Sequence, residues 1–331
     1  MDKIGVVIPY HQRTGGLLRR ALQSIYAQEL EEPAQVRVIV ADNESPAPPE
    51  PEVIGLARPG FSVEIVKRPN GGPSAGRNTG LKAVGEVDYV AFLDSDDWWE
   101  PRHLAVAVGA LRNGCGFYFA DVRDEDSTWF ASLKCKDALT DAATPCGETL
   151  WISRAALMPL FLDEYIAHTS SVVFSTRSIG PLLFDETQAT AGEDYLYWLT
   201  ATSRSKTIAF STKPMAARGR GVDLYRGAGG WDSPECTRRL FYNLMLHKKM
   251  LARFCQTEEE RNKLRARVRR GRMEILFLFV RNARARAHAK TNSWVAARLF
   301  KADPAFWLTL PSNALTILYQ RLFSTLEFAR E

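Results

Sequence analysis

The stretch Val87-Asp-Tyr-Val-Ala-Phe-Leu-Asp-Ser-Asp-Asp-Trp-Trp-Glu-Pro101 decides how the chain is read. An apolar run, Val90 to Leu93, ends abruptly in Asp94, Asp96 and Asp97. The run is short and bounded by Gly85 and Pro101, so it predicts a strand buried on both faces, as in parallel sheets. Three carboxylates at its carboxyl end repel one another, and burying even one without compensation is costly. A hard divalent cation, Mg²⁺ or Mn²⁺, is the natural compensation, because it prefers oxygen ligands and keeps positions open for phosphates. The carboxyl edge of an open α/β sheet is also where ligands bind. The plainer reading is that Asp96 and Asp97 cap a helix starting near Pro101. Pro101 and His103 argue against a calcium loop.

Upstream, strand and helix alternate. Ile4–Ile8 reads as a buried strand stopped by Pro9-Tyr10, and Leu17, Leu18, Ala21, Leu22 and Ile25 recur at helical spacing. Val36–Ala41 is a second strand ending at Asp42, and Ser62–Val66 a third. Between them Pro46, Pro48, Pro49 and Pro51 predict an exposed loop without regular structure. Gly71-Gly-Pro-Ser-Ala-Gly-Arg-Asn-Thr-Gly80 follows, with Ser74 as the expected N-cap of a helix running to about Val84. Such alternation predicts right-handed βαβ units of Rossmann type.

Downstream, Gly116–Ala120 and Ser170–Phe174 are two more apolar runs, separated by a polar, irregular Asp121–Glu148 expected to form a flap or acceptor-facing loop. Gly192-Glu-Asp-Tyr-Leu-Tyr-Trp-Leu199 fits an amphipathic helix beginning at Glu193. Glu193 and Asp194 suit its first turn, where the helix dipole favours negative charge. From about Asp232 long helical patterns take over, giving expected domains of 1–230 and 231–331.

The 331 residues, 46% hydrophobic and 24% charged, suit a globular protein of one large or two modest domains. Five scattered cysteines form no zinc spacing, and their odd number argues for a reducing compartment. With no signal-peptide shape at the amino terminus and no apolar run of bilayer length, the expectation is a cytoplasmic protein. The net charge of +5 hides an asymmetry: residues 235–331 hold 20 Lys/Arg against 8 Asp/Glu, leaving the front acidic. The basic stretch 261–290, followed by Phe306, Trp307, Leu315, Ile317, Leu318, Leu322 and Phe323, suggests peripheral contact with an anionic membrane face through 261–323. A helical subdomain with a solvated basic face explains the charge equally well. Nothing else resembles a nucleic-acid module, so nucleic acid is not an expected partner.

Taken together and in order, these pieces resemble the family-2 glycosyltransferases of GT-A fold, over roughly residues 3–220. Val6-Val-Ile-Pro-Tyr10 is similar to the family's opening strand and nucleotide-contacting turn, and Asp42 matches the acidic residue after its second strand. Gly71–Leu81 resembles the segment before the metal site, with Arg77 and Asn78 near the nucleotide. Phe92–Trp99 matches the D-x-D signature; Phe184-Asp-Glu186 and Gly192-Glu-Asp-Tyr195 match the acceptor-side element and the E-D motif. The resemblance implies an α/β GT-A (Rossmann-like), mostly parallel sheet flanked by helices, with a C-terminal helical region. It implies metal-dependent, inverting transfer of a sugar from a nucleotide-sugar donor to a glycan or lipid-linked glycan acceptor. Donor contacts fall on Pro9, Tyr10, Asp42, Arg77, Asn78, Asp94 and Ser95, and Mn²⁺ or Mg²⁺ on Asp96 with Asp94. Asp194 becomes the base, supported by Glu193 and Asp97; Trp98 and Trp99 either stack on the acceptor sugar or pack under the loop.

Two departures stand out. Asn43 replaces a more usual second acid, and Ala217-Arg-Gly-Arg-Gly-Val-Asp223 stands where many relatives carry a His. Arg218 or Arg220 would then neutralise the diphosphate, unless both are solvated. His11, His103 and His168 draw no catalytic role. The rival readings are a sugar-1-phosphate nucleotidyltransferase, disfavoured by Pro9-Tyr10-His11-Gln12 in place of a Gly-rich basic loop, and a catalytically silent sugar-nucleotide-binding protein.

Overall fold

The computed structural model describes residues 1–124, 126–221, 230 and 233–311. The chain divides into two compact units, Met1–Ala189 with Glu193–Asp223, and Thr190–Gly192 with Leu224–Glu331.

In the first unit the strands are β1 (Asp2–Tyr10), β2 (Ala34–Asn43), β3 (Phe61–Arg68), β4 (Tyr89–Phe92), β5 (Trp98–Trp99), β6 (Phe117–Asp124), β7 (Ser127–Thr128), β8 (Thr144–Cys146), β9 (Thr149–Ser153), β10 (Val173–Ser175) and β11 (Thr207–Ala217). The helices are α1 (Leu17–Tyr26), α2 (Glu50–Val53), α3 (Gly72–Ala83), α4 (His103–Arg112), α5 (Trp129–Ser132), α6 (Lys136–Asp141), α7 (Arg154–Asp163), α8 (Thr176–Ile179) and α9 (Glu193–Arg204). One sheet runs β3-β2-β1-β4-β10-β6-β11-β9-β8, with β5 paired to β11 and β7 to β6. β1 to β4 are parallel. β10 enters antiparallel between β4 and β6, whereas β11 runs parallel to β6. Strand burial follows position: β1 and β4 are buried on both faces, and edge strand β3 alternates between half-buried and exposed residues.

Helix α3 lies against β1 because glycine stands at the contact. A Cβ on Gly80 would come within 2.4 Å of Val7 Cγ1, so any larger residue pushes helix from sheet. The same helix carries Arg77 and Asn78. On its other end, β4 delivers Phe92 into an aromatic cluster with Phe174, Phe184, Tyr197 and Trp198, at ring separations of 5.4 to 6.1 Å. This cluster joins β4, which precedes the aspartates, to the inner face of α9, which begins with Glu193.

Several local expectations give way to tertiary context. The proline-rich loop holds the short helix α2, because Pro49 and Pro51 preset the backbone of a first turn, and Glu52 is buried there. Helix α3 starts at Gly72, so Ser74 is no N-cap; its buried hydroxyl donates to the Gln188 carbonyl. The described residues of 121–148 hold regular elements rather than an irregular loop: β6 continues to Asp124, and β7, α5, α6 and β8 follow. β9, α7 and β11 are elements for which the sequence sets no expectation. β11 is masked by Lys213 and Pro214, where the ladder to β6 shifts register, as proline in a sheet requires.

His103 is fully buried in α4, with its ring 4.7 Å from that of Trp99 and no hydrogen bond on either nitrogen. Burial pushes its pKa down to about 3. Between pH 6.5 and 3 the unfolded chain therefore binds a proton that the native state refuses, and this site costs stability as pH falls. A His103→Leu variant lacks that penalty. Its stability relative to the wild type should rise as pH drops below about 6.5, by up to about 1.4 kcal/mol per pH unit. Denaturant melts of both proteins at a series of pH values measure the difference; parallel curves would contradict it.

The second unit is helical: α10 (Pro234–Arg253), α11 (Glu258–Arg281), α12 (Arg286–Ala302) and α13 (Ala305–Leu308). Ser233 caps α10, and Thr257 with Glu260 forms a capping box on α11. Buried Asp303 accepts two hydrogen bonds from Arg272, at 2.8 and 2.7 Å, and one from Lys248 at 2.8 Å. Arg298 lies over the Trp294 ring at 3.6 Å. Part of the basic charge is thus consumed within the unit. Among the described residues no helix is long and apolar enough to cross a membrane. Leu315, Ile317, Leu318, Leu322 and Phe323 lie outside the described residues.

Candidate active site

The aspartate loop leaves β4 between α1, the turn at 168–171 and the segment 218–221. Asp96 and Asp97 do not cap α4, whose N-cap is Arg102 without a side-chain bond. They are instead held by backbone donors: Gly219 N–H reaches Asp97 Oδ1 at 2.8 Å, and Gly221 N–H reaches Asp96 Oδ2 at 2.8 Å. A Cβ on Gly219 would collide with the Asp96 carbonyl oxygen, so the approach requires glycine. Ser170 Oγ donates to Asp97 Oδ2 and accepts from Asp94 N–H. Arg20 reaches the Asp96 carbonyl oxygen at 2.7 Å while lying over the Trp98 ring at 3.9 Å.

Arg77 connects this loop to α9. Its buried guanidinium donates to Asp94 Oδ1 at 3.1 Å and to Glu193 Oε1 at 3.0 Å. Burial opposes its charge, but Asp94 and Glu193 more than offset that, and its pKa is raised. Burial, and then the charge of Asp194, push the Glu193 carboxyl up to about 7 against the pull of Arg77. Asp194 is half-buried. Its Oδ2 accepts from Tyr165 Oη at 2.6 Å and Thr169 Oγ1 at 3.3 Å, and its Oδ1 from Tyr195 N–H at 2.7 Å.

The other residues singled out in the sequence take varied places. Pro9 is half-buried at the end of β1. Tyr10 is buried, with its hydroxyl on Glu52, so its ring serves the core rather than a ligand. Asp42 Oδ1 accepts from Ser45 N–H, the Ser45 hydroxyl bonds the Gln12 backbone, and Ser95 Oγ accepts from Gln12 Nε2, tying together the carboxyl ends of β1, β2 and β4. Asn78 departs from its expected donor contact: its amide clasps both backbone groups of Phe184 and reaches Glu186, leaving a buried clip. Trp99 is buried with its indole N–H on the Ser170 carbonyl, so packing under the loop describes it; Trp98 stays half-buried. Arg218 pairs with Asp124 at 3.0 Å, and Asp223 lies outside the described residues. Asn43 explains its own departure from an acid: its Nδ2 donates to Asn70 Oδ1 and the Gly72 carbonyl, which a carboxylate cannot do.

Comparison with known proteins fits this geometry. The family description "Glycosyl transferase family 2" matches residues 5–153. Over 246 residues the chain is 34% identical to the succinoglycan biosynthesis protein ExoW of Rhizobium meliloti (strain 1021), covering 73% of this chain and 76% of that protein. The chain belongs to glycosyltransferase family 2. Its fold is GT-A: a structure of S. aureus TarS 1-349 in complex with UDP-GlcNAc superposes with a TM-score of 0.57 at 16% identity, covering 84% of this chain and 72% of that one. A Pyrobaculum calidifontis mannosyltransferase in complex with GDP-Man and Mn²⁺ does so at 0.51 and 18% identity, covering 97% and 87%. The chain spans 42% of a longer TarS structure.

Within this glycosyltransferase the donor set of the aspartate loop suits a hard cation. Burial first, then the charges of Asp97 and Asp94, push Asp96 up to about 6. Burial and Asp94 likewise push Asp97 up to about 7, although Ser170 and Gly219 donate to it. Both shifts come first from burial and then from like charges crowded on one loop. Among the described residues no group of three or more His, Cys, Asp or Glu forms a metal cage. Two aspartates with open positions match the sparse protein ligation that Mg²⁺ or Mn²⁺ takes when phosphates complete its shell.

Sequence reasoning missed the residues that hold these carboxylates, Tyr165, Thr169 and Ser170, and those that hold the loop around them, Arg20 on the Asp96 carbonyl and Gln12 on Ser95. None belongs to a motif, and each is defined by its partner. The one usable signal was polarity, since Thr169, Ser170 and Ser171 interrupt the approach to an apolar strand.

Proposed function

We propose that this glycosyltransferase moves a sugar from a nucleotide-diphosphate donor to a hydroxyl of a glycan or lipid-linked glycan, with inversion, in cell-surface polysaccharide assembly. Asp194 takes the proton of the attacking hydroxyl on the face opposite the leaving group. Asp96 and Asp94 hold Mn²⁺ or Mg²⁺, which when bound supplies positive charge for the departing diphosphate. Pro9, Asp42 and Ser95 line the nucleotide side, and Glu193 with Arg77 fixes the distance between the two carboxylate sets. The observation that carries the reading is the Asp94–Arg77–Glu193 bridge, which joins motifs about a hundred residues apart. Similarity to ExoW, a succinoglycan biosynthesis protein, supports a polysaccharide context. UDP-GlcNAc in the TarS structure and GDP-Man with Mn²⁺ in the mannosyltransferase structure support the donor class and the cation.

A thermal-shift panel of UDP-, GDP- and dTDP-sugars with Mn²⁺ tests it. A sugar nucleotide at 100 times its Kd stabilises the native state by about 2.7 kcal/mol, a shift of several degrees, and EDTA should abolish it. No response to any nucleotide with Mn²⁺ would remove the donor assignment.

Peripheral membrane contact is part of the same reading. Val280 and Phe300 are 62% and 72% exposed on α11 and α12, which are rich in arginine and lysine, and Leu308 is 83% exposed at the end of α13. Flotation with phosphatidylglycerol vesicles should retain the protein and lose a Val280→Ser, Phe300→Ser, Leu308→Ser variant. Equal flotation of both, or none of either, would end this part.

A further inference from the structure

The turn His168-Thr-Ser-Ser171 touches both carboxylate sets at once. Ser170 grips Asp97 and the backbone of Asp94, while Thr169 donates to Asp194. His168 begins that turn. Its Nδ1 accepts the Ser170 N–H at 3.3 Å, which fixes the tautomer and leaves the proton on Nε2. Burial lowers the imidazole pKa despite the attraction of Asp94, so the ring is held neutral. The ring is half-buried, and among the described residues its hydrogen bond is the one on Nδ1.

Trp129 stands edge-to-face against the His168 ring at 5.6 Å and against Tyr165 at 5.8 Å. It is half-buried, and its indole N–H is anchored on the Ile166 carbonyl at 2.8 Å. Tyr165 in turn donates to Asp194 and meets Tyr195 at 5.2 Å. An aromatic wall with one outward hydrogen-bond donor thus flanks the carboxylate of α9. Amphipathic aromatic surface beside a fixed polar group suits a pyranose, which offers apolar C–H faces and hydroxyl oxygens together.

We propose that Trp129 and His168 form the acceptor subsite, with His168 Nε2–H donating to an oxygen of the acceptor pyranose and Trp129 stacking on it. The inference rests on Asp194 facing the acceptor hydroxyl. His168 orients the sugar and exchanges no proton with it. Trp99, whose ring is buried, takes no part in the subsite.

Two variants separate this role from a structural one. His168→Asn keeps an acceptor for the Ser170 N–H but loses reach at the Nε2 position; His168→Gln restores a donor near that position. Wild type and variants are applied, with Mn²⁺ and whichever of UDP, GDP and dTDP the thermal-shift panel selects, to an array of oligosaccharides of varied sugar and linkage, and nucleotide affinity and thermal midpoints are measured in parallel. The wild type should bind at least one glycan. His168→Asn and Trp129→Ala should weaken that binding tenfold or more, and His168→Gln should recover most of it, all with unchanged nucleotide affinity. Undiminished binding by His168→Asn, or no glycan bound by the wild type, overturns the subsite. A wild type that binds none of UDP, GDP and dTDP with Mn²⁺ counts instead against the donor reading on which the subsite rests.

Discussion

Asp194→Asn is expected to lower kcat by about 10² to 10⁴, the range general-base catalysis supplies, while leaving donor affinity unchanged. The asparagine carbonyl can still accept from Tyr165 and Thr169, so the side chain keeps its place. Its amide then faces the Tyr195 N–H, and losing that one bond costs about 1 kcal/mol. The protein should therefore fold and bind a nucleotide sugar as before, yet fail to activate the acceptor hydroxyl. Initial rates with saturating donor, together with donor-induced thermal shifts, separate the two effects. Full turnover in this variant would remove Asp194 as base, and Glu193 would inherit the question.

The second large effect concerns stability. Arg77→Met removes a buried cation from between two carboxylates, one of which, Glu193, is itself buried. Breaking a buried pair by deleting one partner costs roughly 3–5 kcal/mol, and the partial exposure of Asp94 places this site at the lower end, about 3 kcal/mol. Glu193 can also escape part of the penalty by taking a proton, since its carboxyl already titrates near neutrality. Two consequences follow that a simple packing loss would not produce. The destabilisation should be smaller in a Glu193→Gln background, because one uncompensated charge is then absent. It should also shrink as pH falls toward about 7, because Arg77 pulls the Glu193 carboxyl down and without it the proton is taken up at higher pH. Denaturant melts of the four proteins of the double-mutant cycle measure both, and additivity within about 0.5 kcal/mol would show that Arg77 and Glu193 are not coupled.

The role of Arg77 illustrates what was legible in the sequence. Its motif marked it as close to the nucleotide, and it does lie beside Asp94. That it spends both ends of its guanidinium on protein carboxylates depends on where α3 sits, and hence on Gly80 meeting Val7. Asn78, its neighbour in the same motif, faces Phe184 and Glu186 because one step along a helix rotates a side chain by about 100°.

Hydrophobic periodicity and turn residues determined the parallel strands β1 to β4, helices α1, α3 and α9, and the ends at which Asp42, Asp94 and Asp194 would appear, because these depend on near neighbours along the chain. The order of strands beyond β4 did not follow from it, nor did the antiparallel entry of β10 or the register shift at Pro214. Side chains joined only by folding make the difference. Ser170 meets Asp97 across 73 positions and Arg77 meets Glu193 across 116, and such pairs carry no local periodic signal. Composition announced the acidic cluster as a cost; the tertiary structure decided which groups meet it.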